Sequence, residues 1–118
     1  MRVLVCGSRD FYDWLKLEET LMDLYDSRTP FTVIIQGEAA GADRLAKQWA
    51  KYNGIPTADF PALWRVNGKY NPNAGPERNQ RMLDEGKPDL VVAFPGGKGT
   101  ANMVKLAREA GVEVISIE

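Results

Sequence analysis

The chain has 118 residues, of which 44% are hydrophobic and 26% are charged, and this length and balance fit one globular domain with its own core. Its 15 Lys and Arg residues against 16 Asp and Glu residues give a net charge of −1, which makes general binding to nucleic acid unfavourable. The chain contains no histidine, so a Ser-His-Asp triad, a Cys-His pair and any imidazole metal site are excluded.

The first half of the chain alternates apolar runs with amphipathic stretches. Residues 2–6 and 31–36 are short apolar runs that end before a glycine, which predicts two buried strands. A periodicity of three and four residues predicts a helix after each strand, with Asp10 or Asp13 as the cap of the first helix and Gly54 as the stop of the second. The stripe positions are Trp14, Leu17, Leu21, Leu24 and Tyr25 in the first helix, and Leu45, Ala46, Trp49, Ala50 and Asn53 in the second.

The second half begins with a weaker strand and one long irregular segment. Prolines interrupt the strand, so it is expected at a sheet edge, and a loop of this length is uncommon in a small domain unless it binds something. Glu113 and Ser116 indicate a second edge in the last strand. The predicted stretches are a strand over 55–60, a loop over 61–76, a polar helix over about 77–86, a strand over 89–94, a helix over 100–110 with Met103, Val104, Ala107 and Ala110 inward, and a strand over 112–117.

Alternating strands and helices predict an α/β domain with a Rossmann-like, doubly wound parallel sheet. The first, second and fourth strands are largely apolar, whereas the third and fifth carry polar residues. We therefore predict about five strands in the order 3-2-1-4-5, with helices on both faces, in a single domain over residues 1–118. In such a sheet a crevice opens above the carboxyl ends of the first and fourth strands, and a ligand is expected there.

Two glycine-bearing loops follow the strands that border this crevice. The segment Pro95-Gly96-Gly97-Lys98-Gly99-Thr100 follows the fourth strand, and Gly7-Ser8-Arg9 follows the first. Glycines let backbone amides approach a ligand closely, and the next helix N-terminus attracts negative charge, so the pattern predicts a phosphate site. Thr100 can add a hydroxyl, while Lys98 either pairs with the phosphate or points into solvent. A plain turn followed by a helix cap is the alternative.

The turn after the second strand, from Gly37 to Asp43, reaches the same edge of the sheet and carries two carboxylates. Carboxylates accept hydrogen bonds from ribose hydroxyls, and one of them could instead polarise an attacking water. Asp43 also has a structural alternative, because an acidic residue in a first helical turn stabilises the helix dipole without any ligand. Glu38 is therefore the better candidate. The predicted site takes Gly37, Glu38, Gly41 and Asp43 from this turn.

The polar helix offers the strongest single candidate, Arg78, in the pair Arg78-Asn79. A guanidinium presents a fork of donors that matches phosphate or carboxylate oxygens. The alternative for this arginine is a surface salt bridge with Glu77 or Asp84. In the loop before the helix, Trp64 and Tyr70 could either stack on a base or cover the core.

Other features exclude further kinds of site. The single cysteine, Cys6, cannot form an internal disulfide or a thiolate metal site, and it is expected as a buried filler in a cytoplasmic protein. No apolar run approaches the roughly 20 residues that cross a bilayer. The first loop has one glycine where the dinucleotide fingerprint needs three, and Gly97-Lys98-Gly99 departs from the P-loop ending. No metal or resident cofactor is expected.

Several segments, in the same order along the chain, resemble the YspA, cpYpsA-related family of the SLOG superfamily. The resemblance covers nearly the whole chain. It implies a Rossmann-like nucleotide-binding fold found in bacteria and their phages, with nucleotides or molecules derived from NAD or ADP-ribose as ligands, and it implies homo-oligomers. The segments that carry it are Gly7-Ser8-Arg9-Asp10-Phe11, Gly37 to Asp43, Trp49-Ala50, Ala74 to Asn79 and Ala93 to Thr100.

The same superfamily contains the cytokinin-activating phosphoribohydrolases, which cleave a base from a nucleoside 5′-monophosphate. Arg78 with Met82 is similar to their arginine-containing helix, and residues 95–100 are similar to their phosphate loop. Their motif continues to a catalytic glutamate three residues after the threonine, where this chain has Met103. N-glycosidic cleavage passes through an oxocarbenium-like state that needs a carboxylate, so Glu38 or Asp43 would have to supply it.

Three hypotheses of function follow. The first is a nucleotide-binding domain that seats a phosphate on residues 95–100, completed by Gly7-Ser8-Arg9 and Arg78, and that acts as a ligand sensor or a sequestering protein. The second is a hydrolase of nucleotide N-glycosyl bonds, with Arg78 and either Glu38 or Asp43 as catalytic residues. The third is a protein-interaction module whose glycine loops are only turns.

Overall fold

The alternating pattern produces eleven secondary-structure elements in the computed structural model, which describes residues 1–118. Seven are strands and four are helices. In chain order they are β1 (Arg2–Cys6), α1 (Trp14–Ser27), β2 (Val33–Gln36), α2 (Ala42–Tyr52), β3 (Thr57–Asp59), β4 (Arg65–Val66), β5 (Lys69–Tyr70), α3 (Ala74–Asp84), β6 (Leu90–Ala93), α4 (Lys98–Glu109) and β7 (Glu113–Ser116).

The main sheet is parallel throughout and has the strand order β3-β2-β1-β6-β7. This confirms the predicted order 3-2-1-4-5, because β6 and β7 are the fourth and fifth strands of that sheet. The central position of β1 follows from its composition, since Val3, Leu4 and Val5 are fully buried and need cover on both faces. The register sets Cys6 beside Ala93, so the carboxyl ends of β1 and β6 are neighbours.

Two pairs of helices cover the two faces of the sheet, as predicted for a doubly wound α/β fold. On one face, α1 and α2 bring Leu17 and Trp49 into a core with Val5. On the other face, α3 and α4 bring Met82 and Met103 into a second core. None of the four helices has the length and the apolar character that a membrane span requires.

The segment predicted as an irregular loop contains a hairpin, which is the main difference from the sequence-based prediction. Strands β4 and β5 pair in antiparallel fashion around Asn67-Gly68, whose φ angles of 53° and 78° match a type I′ turn. Helix α3 begins at Ala74, before the predicted start. A first helical turn tolerates Pro76 because the N–H group that proline lacks would have no partner there.

The helix ends differ from the predictions by a few residues. Helix α4 begins at Lys98, so residues 98–100 form its first turn rather than a loop. Asp13, not Asp10, caps α1 by accepting a hydrogen bond at 3.1 Å from the N–H group three residues on. Gly54 has a φ of 68° just after α2, as expected for the predicted helix stop. Ala110 was predicted to face inward but is exposed, because it lies beyond the last turn of α4.

Candidate functional site

The loops that follow β1 and β6 lie side by side, as the sheet order requires. The Ser8 N–H group donates to the Pro95 carbonyl at 2.8 Å. A methyl group on Gly96 would lie only 3.0 Å from the Ser8 nitrogen, so glycine allows this close approach. The start of α2 joins the same assembly, since the Ala42 N–H group donates to the Ser8 carbonyl at 3.1 Å. Three loops from distant parts of the chain therefore form one rim at the carboxyl edge of the sheet.

A cavity of about 490 Å³ opens at this rim. Its volume falls within the range of small-molecule sites in proteins. Residues from both glycine loops line it together with residues from α2, α3 and α4. The predicted site residues that it brings together are Gly7, Ser8, Arg9, Asp43, Arg78, Asn79, Gly97, Lys98, Gly99 and Thr100.

The other predicted site residues lie outside this cavity. Gly37 and Glu38 line a second, adjoining cavity of about 300 Å³. Pro95 and Gly96 line a third, more open cavity between α4 and the end of β7. Gly41 lines none of these three cavities and instead makes a tight turn with a φ of 79° before α2.

The start of α4 offers a row of free backbone donors to the first cavity. The first hydrogen bond of the helix runs from the Ala101 N–H group to the Gly97 carbonyl at 3.0 Å. The N–H groups of residues 97–100 consequently have no acceptor within the chain. These groups carry the positive end of the helix dipole, and Lys98 beside them makes no ion pair. Such an arrangement is able to bind an anion.

Arg78 is half-buried between the first two cavities and has free donors. Its Nη1 donates to the Gly37 carbonyl at 2.7 Å and its Nε donates to Asn79 Oδ1 at 3.0 Å, whereas Nη2 has no acceptor in the chain. Arg78 does not form the surface salt bridge that was its alternative role, because no carboxylate oxygen lies within 4.0 Å of this guanidinium. Burial is the main cause that lowers the pKa of Arg78 from its ordinary value.

Asn79 connects α3 with the glycine loop of α4. It is buried, and its amide nitrogen donates to the Gly99 carbonyl at 3.2 Å and to Asn102 Oδ1 at 2.9 Å. Its own oxygen accepts from Arg78. With every polar atom of the side chain engaged, Asn79 is suited to hold the loop and the arginine in place rather than to contact a ligand.

Asp43 is the buried carboxylate of the first cavity. Its Oδ2 accepts hydrogen bonds from the Gly37 N–H group at 3.2 Å and the Ala39 N–H group at 3.3 Å, while Oδ1 has no donor. Burial raises the pKa of Asp43 to about 6, and the two backbone donors and the nearby Arg78 oppose that shift only in part. The group can therefore take up or release a proton near neutral pH.

We expect Asp43 to favour the folded state at mildly acidic pH. Since its pKa rises from 3.8 to about 6 on folding, its contribution to stability is complete below the ordinary pKa and is lost as the pH rises through 6. Between pH 7.5 and 4.5 the wild-type protein should therefore gain about 2 kcal/mol in free energy of unfolding relative to Asp43→Asn. Urea denaturation of both proteins across this range measures the gain, and a difference that does not change with pH would contradict it.

Glu38 is held away from the first cavity. It adopts a φ of 59°, a left-handed conformation that glutamate rarely takes, and its N–H group donates to Gln36 Oε1 at 2.6 Å. Its carboxylate pairs with the ammonium group of Lys47, which also lies 3.0 Å from Asp59 Oδ2. Of the two carboxylates singled out from the sequence, Asp43 is thus the one that shares a cavity with the glycine loops.

Trp64 lies beside both cavities and not in either core. It lines the first and the second cavity, and the Arg9 guanidinium lies 5.8 Å from the centre of its ring. Tyr70 of β5 stacks on this ring, with the two ring centres 6.2 Å apart. The hairpin therefore presents a supported aromatic surface next to the free N–H groups of α4.

Cys6 lies in the floor of the first cavity and is almost fully buried. Burial raises the pKa of its thiol to about 12.

Sequence reasoning missed three polar residues of the first two cavities, namely Asp10 and Asn102 in the first and Arg44 in the second. Asn102 lines the first cavity, and nothing in the sequence marks it because its role depends on how α3 packs against α4. Arg44 lines the second cavity, and here a signal was present. A cation in the first turn of a helix lies at the positive end of the helix dipole, where it is unfavourable unless an anion is near.

Comparison with known sequences points to one family. The model of the YspA, cpYpsA-related SLOG family matches residues 1–66. The Gene 61 protein of Mycobacterium phage D29 is 36% identical over 124 residues, an alignment that covers 98% of this chain and 94% of the phage protein. The similarity to the phage protein thus extends over nearly the full length of both.

Three solved structures are similar in fold. DNA processing protein A (DprA) from Streptococcus pneumoniae has a TM-score of 0.72 at 22% identity, with 99% of this chain and 50% of that chain covered. MurG from Acinetobacter baumannii has a TM-score of 0.63 at 18% identity, with 97% and 33% covered. UDP-GlcNAc 2-epimerase from Neisseria meningitidis has 0.59 at 20% identity, with 100% and 32% covered. The chain spans about half or a third of these proteins, and the likeness shows the shared Rossmann-like fold alone.

Proposed function

The chain belongs to the YspA, cpYpsA-related SLOG family, and from this starting point we propose that residues 1–118 form one domain that binds a nucleotide or a nucleotide derivative. One observation carries the proposal. Unpartnered N–H groups at the start of α4 line the same cavity as the free Nη2 of Arg78. A phosphate group is the guest that suits such donors best, because each hydrogen bond to it is assisted by charge.

Several side chains of the cavity have a role in this proposal. The phosphate accepts hydrogen bonds from the N–H groups of residues 97–100 and from the hydroxyls of Ser8 and Thr100. Arg78 binds a further phosphate oxygen through Nη2. Asp43 accepts a hydrogen bond from a ribose hydroxyl through its free Oδ1. Trp64 offers a ring on which a base or a sugar can pack.

Such a domain can act as a ligand sensor or as a sequestering protein, since binding alone is sufficient for either task. The fold is compatible with ligands of this class. One similarly folded protein, UDP-GlcNAc 2-epimerase, has been solved with UDP-GlcNAc bound. The proposal itself rests on the donors in this chain and not on that likeness.

Thermal unfolding with and without ligands tests the proposal. At a hundred times its Kd, a ligand stabilises the folded state by about 2.7 kcal/mol, which raises the Tm of a domain of this size by about 10 °C. We expect AMP or ADP-ribose to raise the Tm in this way, and adenosine, which lacks the phosphate, to leave it unchanged. Equal effects of adenosine and AMP, or no effect of any nucleotide, would contradict the proposal.

A second candidate function is cleavage of a nucleotide N-glycosyl bond, and the position of Asp43 favours it. Asp43 is a buried carboxylate in the cavity, with a pKa near 6 that suits proton transfer at neutral pH. Met103 also lines this cavity, at the place where the related phosphoribohydrolases have a glutamate. Chromatography after incubation with AMP and ADP-ribose tests this candidate. Release of base that is lost in Asp43→Asn supports it, whereas binding without any release eliminates it.

A further inference from the structure

The second cavity adjoins the first and shares part of its wall. Arg9, Ala39, Trp64 and Arg78 line both cavities, while Arg44 lines the second one only. A single ligand can therefore extend from the glycine loops past Arg78 into the second cavity. Three guanidinium groups border that path, from the β1–α1 loop, from α2 and from α3.

None of these three guanidinium groups forms an ion pair within the chain. No carboxylate oxygen lies within 4.0 Å of any of them. Arg9 and Arg44 donate no hydrogen bond to the chain, and Arg78 keeps Nη2 free. Arg44 also lies in the first turn of α2, at the positive end of the helix dipole. The buried Asp43 is near enough to interact with Arg9 and Arg78, so it compensates this positive charge in part, and an anion from outside the chain would relieve the rest.

The Glu38 carboxylate forms no ion pair with any of these arginines. Glu38 is the one acidic residue that lines the second cavity. Its carboxylate is held by Lys47, and its backbone is fixed in a left-handed conformation by a hydrogen bond to Gln36. Gln36 is fully buried and is itself anchored, because its amide nitrogen donates to Asp59 Oδ1 at 2.5 Å. The arginines are thereby left open to an anion from outside the chain.

We propose that the second cavity is a second phosphate site, and that the ligand is a nucleoside diphosphate derivative and not a monophosphate. The first phosphate lies on the N–H groups at the start of α4, and the second lies among Arg9, Arg44 and Arg78. The group attached beyond the second phosphate occupies the 300 Å³ of the second cavity. This inference rests on the proposed function, since it extends the same ligand from the first cavity.

Calorimetric titration with AMP and ADP-ribose tests the second site, because ADP-ribose has the additional phosphate and AMP does not. We expect the wild-type protein to bind ADP-ribose about tenfold or more tightly than AMP. Arg44→Gln should remove about tenfold from the affinity for ADP-ribose and leave the affinity for AMP unchanged. Arg44 is exposed, so this variant keeps its fold. The matched control is Arg108→Gln, an exposed arginine in α4 that lines neither cavity and should affect neither ligand.

The outcomes separate this inference from the proposed function. If AMP and ADP-ribose bind the wild-type protein equally, or if Arg44→Gln weakens both by the same factor, the second site is wrong while nucleotide binding stands. If neither ligand binds the wild-type protein, both proposals are wrong.

Lys47 gives an independent test that leaves all three arginines in place. Lys47→Met should free the Glu38 carboxylate to pair with Arg44 or Arg9. It should therefore lower the affinity for ADP-ribose but not the affinity for AMP. Adding Glu38→Gln to this variant should restore the affinity for ADP-ribose. A double variant that binds ADP-ribose as weakly as Lys47→Met alone would contradict the competition between Glu38 and the second phosphate.

Discussion

Gly41→Ala is expected to lower the free energy of unfolding by about 3 kcal/mol or more. Gly41 has φ and ψ of 79° and −130°, a combination that is open to glycine and strained for alanine. An added Cβ would lie 2.2 Å from the Ser8 carbonyl oxygen and 2.6 Å from the backbone of Arg9. Backbone atoms cannot give way as a flexible side chain can, so the β1–α1 loop and the start of α2 would have to separate.

Urea denaturation measures this loss, and two other glycines provide matched controls. Gly54 and Gly111 also have positive φ, of 68° and 76°, but nothing lies within 4 Å of a Cβ at either position. Alanine there should cost about 1 kcal/mol, from conformational strain alone. Equal losses in free energy of unfolding for the three variants would show that the close approach of Gly41 to Ser8 makes no particular contribution to stability.

Gly97→Asp is expected to leave the fold intact and to weaken AMP binding by about 100-fold or more. Gly97 is the N-cap of α4, has a negative φ, and has no atom within 4 Å of an added Cβ. Aspartate is a favoured N-cap whose carboxylate accepts hydrogen bonds from the N–H groups of the first turn. In this variant the carboxylate would take the donors of Gly99 and Thr100 that the phosphate needs, and it would also repel the phosphate.

Gly97→Asp separates an effect on AMP binding from an effect on stability, because it should lower the affinity for AMP without lowering the free energy of unfolding. The free energy of unfolding should stay the same or rise by a few tenths of a kcal/mol, while calorimetric titration should show the weaker binding of AMP. Gly97→Asn is the control. Asparagine caps the helix without the negative charge, so it should weaken AMP binding less than aspartate does. An aspartate variant that binds AMP as the wild-type protein does would remove the start of α4 from the site.

The sheet order could be predicted because a parallel strand that is buried on both faces has an almost wholly apolar sequence. The apolar run of residues 2–6 predicted a central strand, and the polar Glu113 and Ser116 predicted an edge. Once β1 and β6 were neighbours, the two glycine loops had to meet at their ends. The cavity between those loops follows from topology, and topology follows from a pattern that a single sequence contains.

The finer arrangement could not be predicted because it depends on contacts between distant elements. Asn79 holds the glycine loop through Gly99 and Asn102, and this requires α3 to pack beside α4 at one register. Glu38 was the favoured carboxylate, yet Lys47 engages it across a turn of unusual backbone conformation. The hairpin, in contrast, could have been predicted from the sequence, since Asn67-Gly68 between two short strands is a strong signal of a two-residue turn.

Titration of ¹⁵N-labelled protein with AMP, followed through the backbone amide resonances, tests most directly whether a phosphate sits at the start of α4. The amide signals of residues 97–100 should move together with that of Ser8 and reach their end positions at one common Kd. The signals of Gly54 and Gly111, which lie outside both cavities, should stay in place. Signals of residues 97–100 that stay fixed under saturating AMP would contradict the account.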